Sequence, residues 1–113
     1  MNKGIWLGLA LVALPAAASE GEVDYRHHVM SAVGGHMQAM ADILKQKVPH
    51  TAHLTLHANA MDDLAGMAGT LFPEGSDGGH ALPEIWTDKE DFAKRITAFQ
   101  AAAADMKTAA ASG

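Results

Sequence analysis

The chain has 113 residues, a formal net charge of −5 and no cysteine. That length supports one domain with a small core. The acidic balance argues against nucleic acid and anionic lipid as partners, and the missing thiols exclude disulfides, thiolate metal sites and a cysteine nucleophile.

The chain opens as a secretory signal peptide. Lys3 gives a short basic start, Ile5 to Leu14 an apolar run, Pro15 a break, and Ala16-Ala17-Ala18 a small-residue cleavage site. An apolar run of about 7–15 residues is typical of a cleaved signal, whereas a bilayer span needs about 20. Residues 1–18 are therefore expected to be removed on export to the periplasm. That leaves a domain over residues 19–113, with no membrane association after cleavage.

Three helical patterns follow. The first runs from about Glu22 to Lys47, with Met30, Val33, Met37, Met40 and Leu44 at spacings of three and four, the mark of one apolar helix face. Gly34 and Gly35 interrupt it, each costing about 1 kcal/mol of helix propensity relative to Ala. Such a pair either admits a neighbouring helix or flat ligand at close range, or is a tolerated weak spot. Pro49 ends the segment, with Lys45 and Lys47 in the last turn where the helix dipole favours cations. The second helix is expected over Thr51 to Leu71, capped by Thr51, with Leu54, Met61, Leu64, Ala68 and Leu71 as its stripe. A long Gly/Pro-punctuated connection, Pro73 to Trp86, follows; Ile85-Trp86 gives it an apolar anchor. The third helix is expected to start at a capping box of Thr87 and Glu90. Its stripe is Phe92, Ile96, Phe99, Ala103 and Met106.

No strand period, nucleophile elbow, His-Glu-x-x-His or phosphate loop is present, so no enzymatic activity is expected. Three amphipathic helices need a shared core, which makes the fold class all-α, a helical bundle. His50, His53 and His57 fall at helical spacing, and imidazoles one turn apart can chelate a transition metal. A haem-free module binding metal through these three residues is therefore the alternative reading. Most of the seven methionines fall on the helix stripes, where Met is a common core filler.

Several segments resemble the cytochromes c prime. They are Tyr25-Arg26, Gly35-His36-Met37-Gln38-Ala39-Met40, and above all Gly78-Gly79-His80-Ala81-Leu82-Pro83-Glu84-Ile85-Trp86-Thr87-Asp88, followed by Phe92 and Phe99-Gln100. The resemblance runs from Tyr25 to Gly113. It implies an antiparallel four-helix bundle, of which three helices are present here. It also implies a haem c, attached in the family through Cys-x-x-Cys-His near the end of the fourth helix, and so an electron-transfer or gas-binding protein. Neither the two cysteines nor the proximal haem histidine of that motif occurs, so covalent attachment is not possible in this chain, which reads as truncated before its fourth helix.

The resemblance assigns cofactor-binding roles residue by residue. Met30 matches the apolar residue over the distal haem face, and Arg26 the residue beside a haem propionate, with His27 next to it. Phe72 matches an aromatic packed on the porphyrin, and Phe92, Ile96 and Phe99 wall the pocket from the third helix. A homodimer through the first and second helices would cover the stripes left open. No redox partner is indicated.

Overall fold

The computed structural model describes residues 16–112. The apolar run from Ile5 to Leu14 lies outside the described residues. Four α-helices follow in chain order: α1 (Ala16–Leu44), α2 (Leu54–Gly66), the single-turn α3 (Glu84–Thr87) and α4 (Lys89–Ala111). No strand occurs among the described residues, and no helix among them is long and apolar enough to cross a membrane.

The chain forms an antiparallel helical bundle in which α2 is the middle member, packed against both α1 and α4. Cross-helix pairs fix the directions. The His36 side chain on α1 meets His57 on α2, while Arg26, earlier on α1, reaches Leu71, beyond the end of α2. Likewise, Gln100 of α4 donates to the Ala65 carbonyl late in α2 (2.9 Å), and Thr55, early in α2, donates to Ala110 late in α4 (3.3 Å).

Several expectations about element edges change. α1 is already helical at Ala16, the first described residue, rather than starting near Glu22, so the Ala16-Ala17-Ala18 segment is helical. The second helix is not continuous from Thr51 to Leu71. Single 3-10 turns at Thr51–His53 and Ala68–Thr70 flank α2, and Thr51 caps nothing with its side chain. The cap of α4 is Asp88, not Thr87: the Asp88 carboxylate accepts from the Asp91 N–H at 3.3 Å. Thr87 instead closes the preceding α3 turn, its hydroxyl donating to the Pro83 carbonyl. A carboxylate at the N-cap also complements the positive end of the α4 dipole, which a threonine does not.

The buried face of α1 is Arg26, Val29, Val33, His36, Met40 and Ile43. That arc is centred about 50° round the helix from the expected stripe, half of the 100° between successive residues, and shares only Val33 and Met40 with it. Met30, Met37 and Leu44 form an exposed apolar ridge beside it. α1 is apolar over a wide arc, and α2 covers only part. The α4 stripe is as expected: Phe92, Ile96, Phe99, Ala103 and Met106 are the inward positions. The central cluster is Met40, Ala58 and Met61, with Val33, Leu54, Phe99 and Met106 packed on it. Gly34 and Gly35 face open space, with no neighbouring atom within 4 Å of where a side chain would start.

Candidate functional site

α2 packs against both α1 and α4 far more extensively than those two meet each other, and a cleft lies between α1 and α4. The connection from Leu71 to Pro83 and α3 close one end of it. The closure depends on Arg26. This residue is only 5 % exposed, and its guanidinium is spent on the connection. Nη1 donates to the Leu71 carbonyl (3.0 Å) and to Ser76 Oγ (3.1 Å); Nη2 donates to the carbonyls of Ser76 (2.8 Å) and Gly78 (3.3 Å). The cation also lies over the rings of Phe72 (5.0 Å) and Trp86 (5.5 Å), a favourable placement for a delocalised charge.

The same knot satisfies its other members. The wholly buried Ser76 donates a hydrogen bond from its hydroxyl to the Pro73 carbonyl (2.7 Å), which also accepts from Trp86 Nε1 (3.1 Å). Burial pulls the Arg26 pKa below its ordinary value, opposed by the charges of Glu22 and Asp77; the guanidinium stays charged. Gly79 sits at φ 62°, and a Cβ there would come within 3.1 Å of the Val23 side chain on α1. Only glycine combines that backbone angle with that approach.

The cleft encloses about 750 Å³, within the range of small-molecule and cofactor sites. Its apolar walls include Met30 from α1, Phe72 and Leu82 from the connection, Ile85 from α3 and Phe92 from α4. Phe72 and Phe92 meet edge to face at 4.8 Å. The polar groups are Asp24, Arg26, His27 and Ser31 on α1, His80 on the connection, Glu84 on α3, and Asp91 and Arg95 on α4. The His27 and His80 rings are 6.1 Å apart. Arg95 Nε donates to Asp91 at 2.8 Å, a bond that raises the arginine pKa.

Of the residues singled out from the sequence, Arg26, His27, Met30, Phe72 and Phe92 line this cleft. Ile96 does not. It lines a smaller hollow on the far side of Phe72 and Phe92, with Trp86 and Gln100. Phe99 lies further along α4, against the Met40–Ala58–Met61 cluster. Continuing the Phe92 stripe along α4 carries it out of the cleft and into the core. Sequence reasoning missed His80, Arg95, Leu82 and Ile85. The first two carried signals: His80 directly follows the Gly78-Gly79 pair, and Arg95 stands four residues after Asp91, the spacing of a helical ion pair.

The expected metal face does not assemble. His50 and His53 stack on each other at 4.8 Å, nearly parallel, whereas His57 turns to α1, its Nδ1 lying 2.8 Å from Nδ1 of His36. Among the described residues, no three histidine or carboxylate side chains converge as a metal-binding group.

Comparison with known proteins gives consistent findings. A family model described as Cytochrome C' matches residues 21–113. Cytochrome c-554 of Cereibacter sphaeroides is 31% identical, over 92% of this chain and 76% of its own length. Cytochrome c' of Alcaligenes xylosoxydans xylosoxydans is 29% identical over 86% of this chain and 77% of its own. A solved cytochrome c' structure superposes with a TM-score of 0.77 at 28% identity, covering 83% of this chain and 76% of the other. A ferrous variant of cytochrome c prime from Alcaligenes xylosoxidans with bound NO superposes with a TM-score of 0.76 at 27% identity, over 83% and 75% of the two chains.

Proposed function

Since the chain belongs to the cytochrome c' family, we propose that it is a haem-binding bundle of the electron-transfer or gas-binding kind, with the haem in the cleft between α1 and α4. The observation that carries this reading is the cleft itself: about 750 Å³, walled by Met30, Phe72, Leu82, Ile85 and Phe92 and edged by His27, His80 and Arg95. These walls suit a large, flat, mostly apolar group with ionised edges. A bound haem supplies an iron that exchanges one electron or takes up a small diatomic ligand.

The chain's own residues divide the remaining work. Phe72, Phe92 and Met30 would keep water from a bound haem and present apolar surface to it. Arg95, in the α4 wall of the cleft, would supply the cation for a carboxylate at the edge, whereas the Nη donors of Arg26 are engaged by the connection. The imidazoles of His27 and His80 are the nitrogen donors within the cleft. With no cysteine in the 113 residues, no thioether bond to them can form, and the cleft holds its ligand by packing and charge. The bound NO named for one related structure supports the gas-binding arm of this reading. Electron or gas carriage, rather than catalysis, is the activity it supports.

Export to the periplasm through a signal peptide over residues 1–18, with the domain over 19–113, is part of the same proposal. It rests on the Lys3, Ile5–Leu14 and Ala16–Ala18 pattern.

Titration of the purified chain with ferric haem tests the assignment. The expected result is a shifted, saturable Soret band at one equivalent, weakened by Phe92→Ala and by Met30→Asp and unaffected by Thr108→Ala, at the distant end of α4. A Soret band identical to that of free haem at every ratio would remove the basis for placing haem here.

A further inference from the structure

A second site lies outside the cleft, where α1 crosses α2. His36 belongs to the α1 face that meets α2, and His57 faces it from α2; both are half-buried. Their Nδ1 atoms are 2.8 Å apart, with ring centroids at 5.1 Å and the planes at 59°. Such a contact requires one Nδ1 to carry a hydrogen and the other to offer its lone pair. Two imidazoles on different helices thus aim the same ring atom at one point.

We propose that His36 and His57 form a two-imidazole clip for a borderline transition-metal cation, Zn²⁺ or Cu²⁺, bridging α1 and α2. Two Zn–N bonds of about 2.0–2.1 Å at a tetrahedral angle set the nitrogens about 3.3 Å apart. The rings therefore need to part by about half an ångström, which side-chain torsions supply. The hydrogen between them moves by way of solvent to Nε2 of its own ring. Both Nδ1 lone pairs then face the cation, and water fills the remaining positions. Binding by two neutral rings in this way releases no net proton.

The surroundings favour the neutral rings that metal binding needs. One turn away from the two histidines along either helix the residues are apolar, Val33 and Met40 on α1 and Leu54 and Met61 on α2, all of them in or packed on the core cluster. Burial holds the His57 pKa below the usual imidazole value, and the charges acting on it are those of His36 and His53, with no carboxylate among them. Nitrogen-only donors select Zn²⁺ or Cu²⁺ over Mg²⁺ or Ca²⁺. His53 stands one turn before His57, but its ring is stacked on His50. The clip is thus a link between helices and not the one-helix chelate that the His53/His57 spacing alone suggests.

Calorimetric titration of the full chain with Zn²⁺ near pH 7.5 tests this. The expected result is one site, weakened at least tenfold by His36→Gln and by His57→Gln, and unchanged by His50→Ala or His53→Ala. Mg²⁺ gives no heat of binding. Helical circular dichroism without metal confirms that each variant is folded. For the wild-type chain, the Cu²⁺ electron paramagnetic resonance spectrum shows coupling to two imidazole nitrogens, a readout that needs no variant. Full affinity in His36→Gln would overturn the proposal. So would dependence on His53 in place of His36, or a Cu²⁺ spectrum with a single coordinated imidazole.

Discussion

Arg26 shows how one side chain organises the closed end of the cleft. Its four Nη hydrogens are all used, on three backbone carbonyls and the Ser76 hydroxyl. Arg26→Met keeps much of the stem packing but leaves those buried acceptors without donors. At about 1–3 kcal/mol per unsatisfied buried group, the variant is expected to lose about 3 kcal/mol or more in urea unfolding. Arg26→Lys is expected to recover little of it, because an ammonium cannot span the fork of acceptors that a guanidinium reaches. The arginine was legible from the sequence as a residue of interest. Its role was not, because the partners lie 45 to 52 residues away and most are backbone atoms, which carry no residue signature.

His57 gives the pH behaviour a sign. Its pKa is lowered in the fold, first by burial and then by His36 and His53, so the unfolded chain binds the proton more readily. The stabilising contribution is complete above the unfolded value of about 6.5 and is lost as pH falls through the lower folded value. The thermal midpoint is expected to drop on acidification below about pH 6.5. His57→Gln is expected to flatten that drop in a series of melts.

At the scale of elements, helix existence and the α4 face were legible, and the edges were not. The α4 stripe could be read because Phe92, Ile96, Phe99 and Met106 are large apolar residues among polar ones. α1 offered two apolar arcs, Val29–Val33–Met40–Ile43 and Met30–Met37–Leu44, and periodicity alone cannot say which one α2 will cover. The same limit applies to the site. Met30, Phe72 and Phe92, singled out by the resemblance, line the cleft, while Ile96 and Phe99 share the Phe92 stripe but lie along α4 beyond it.

The end of α1 makes a separate prediction. Lys47 N–H donates to the Asp42 carbonyl and Gln46 N–H to the Ile43 carbonyl, both near 3 Å, with Gln46 at φ 63°. This is a Schellman closure with glutamine in the left-handed position that glycine favours. The left-handed backbone costs a non-glycine residue about 1–2 kcal/mol, and glycine's greater unfolded entropy returns part of that. Gln46→Gly is expected to stabilise the chain by about 0.5–1 kcal/mol, measurable as a higher urea midpoint at unchanged slope.

For the whole molecule, the arrangement is a middle helix that holds both neighbours, with a cleft between those two. Met37 and Leu44 on one side of α1, and Leu56 on α2, remain exposed. A second copy meeting the first through α1 and α2 would cover those residues. Sedimentation is expected to show a concentration-dependent dimer that Met37→Glu with Leu44→Glu converts to monomer while helix content is retained. A monomer at all concentrations up to 100 µM, taken as roughly the upper end of weak association at about −5.5 kcal/mol, would refute the dimer.

Ala58, Ala65 and Ala103 are almost wholly buried, small side chains at the inward positions of α2 and α4. Close-packed interiors transmit changes of volume. A leucine in place of Ala65 would therefore act as a spacer, tilting α4 outward about its capped base and opening the gap to α1. The calibre of the cleft is thus written partly in residues that no ligand touches, and relatives could retune what they admit by trading one methyl group for a larger side chain at these positions while every lining residue stays the same.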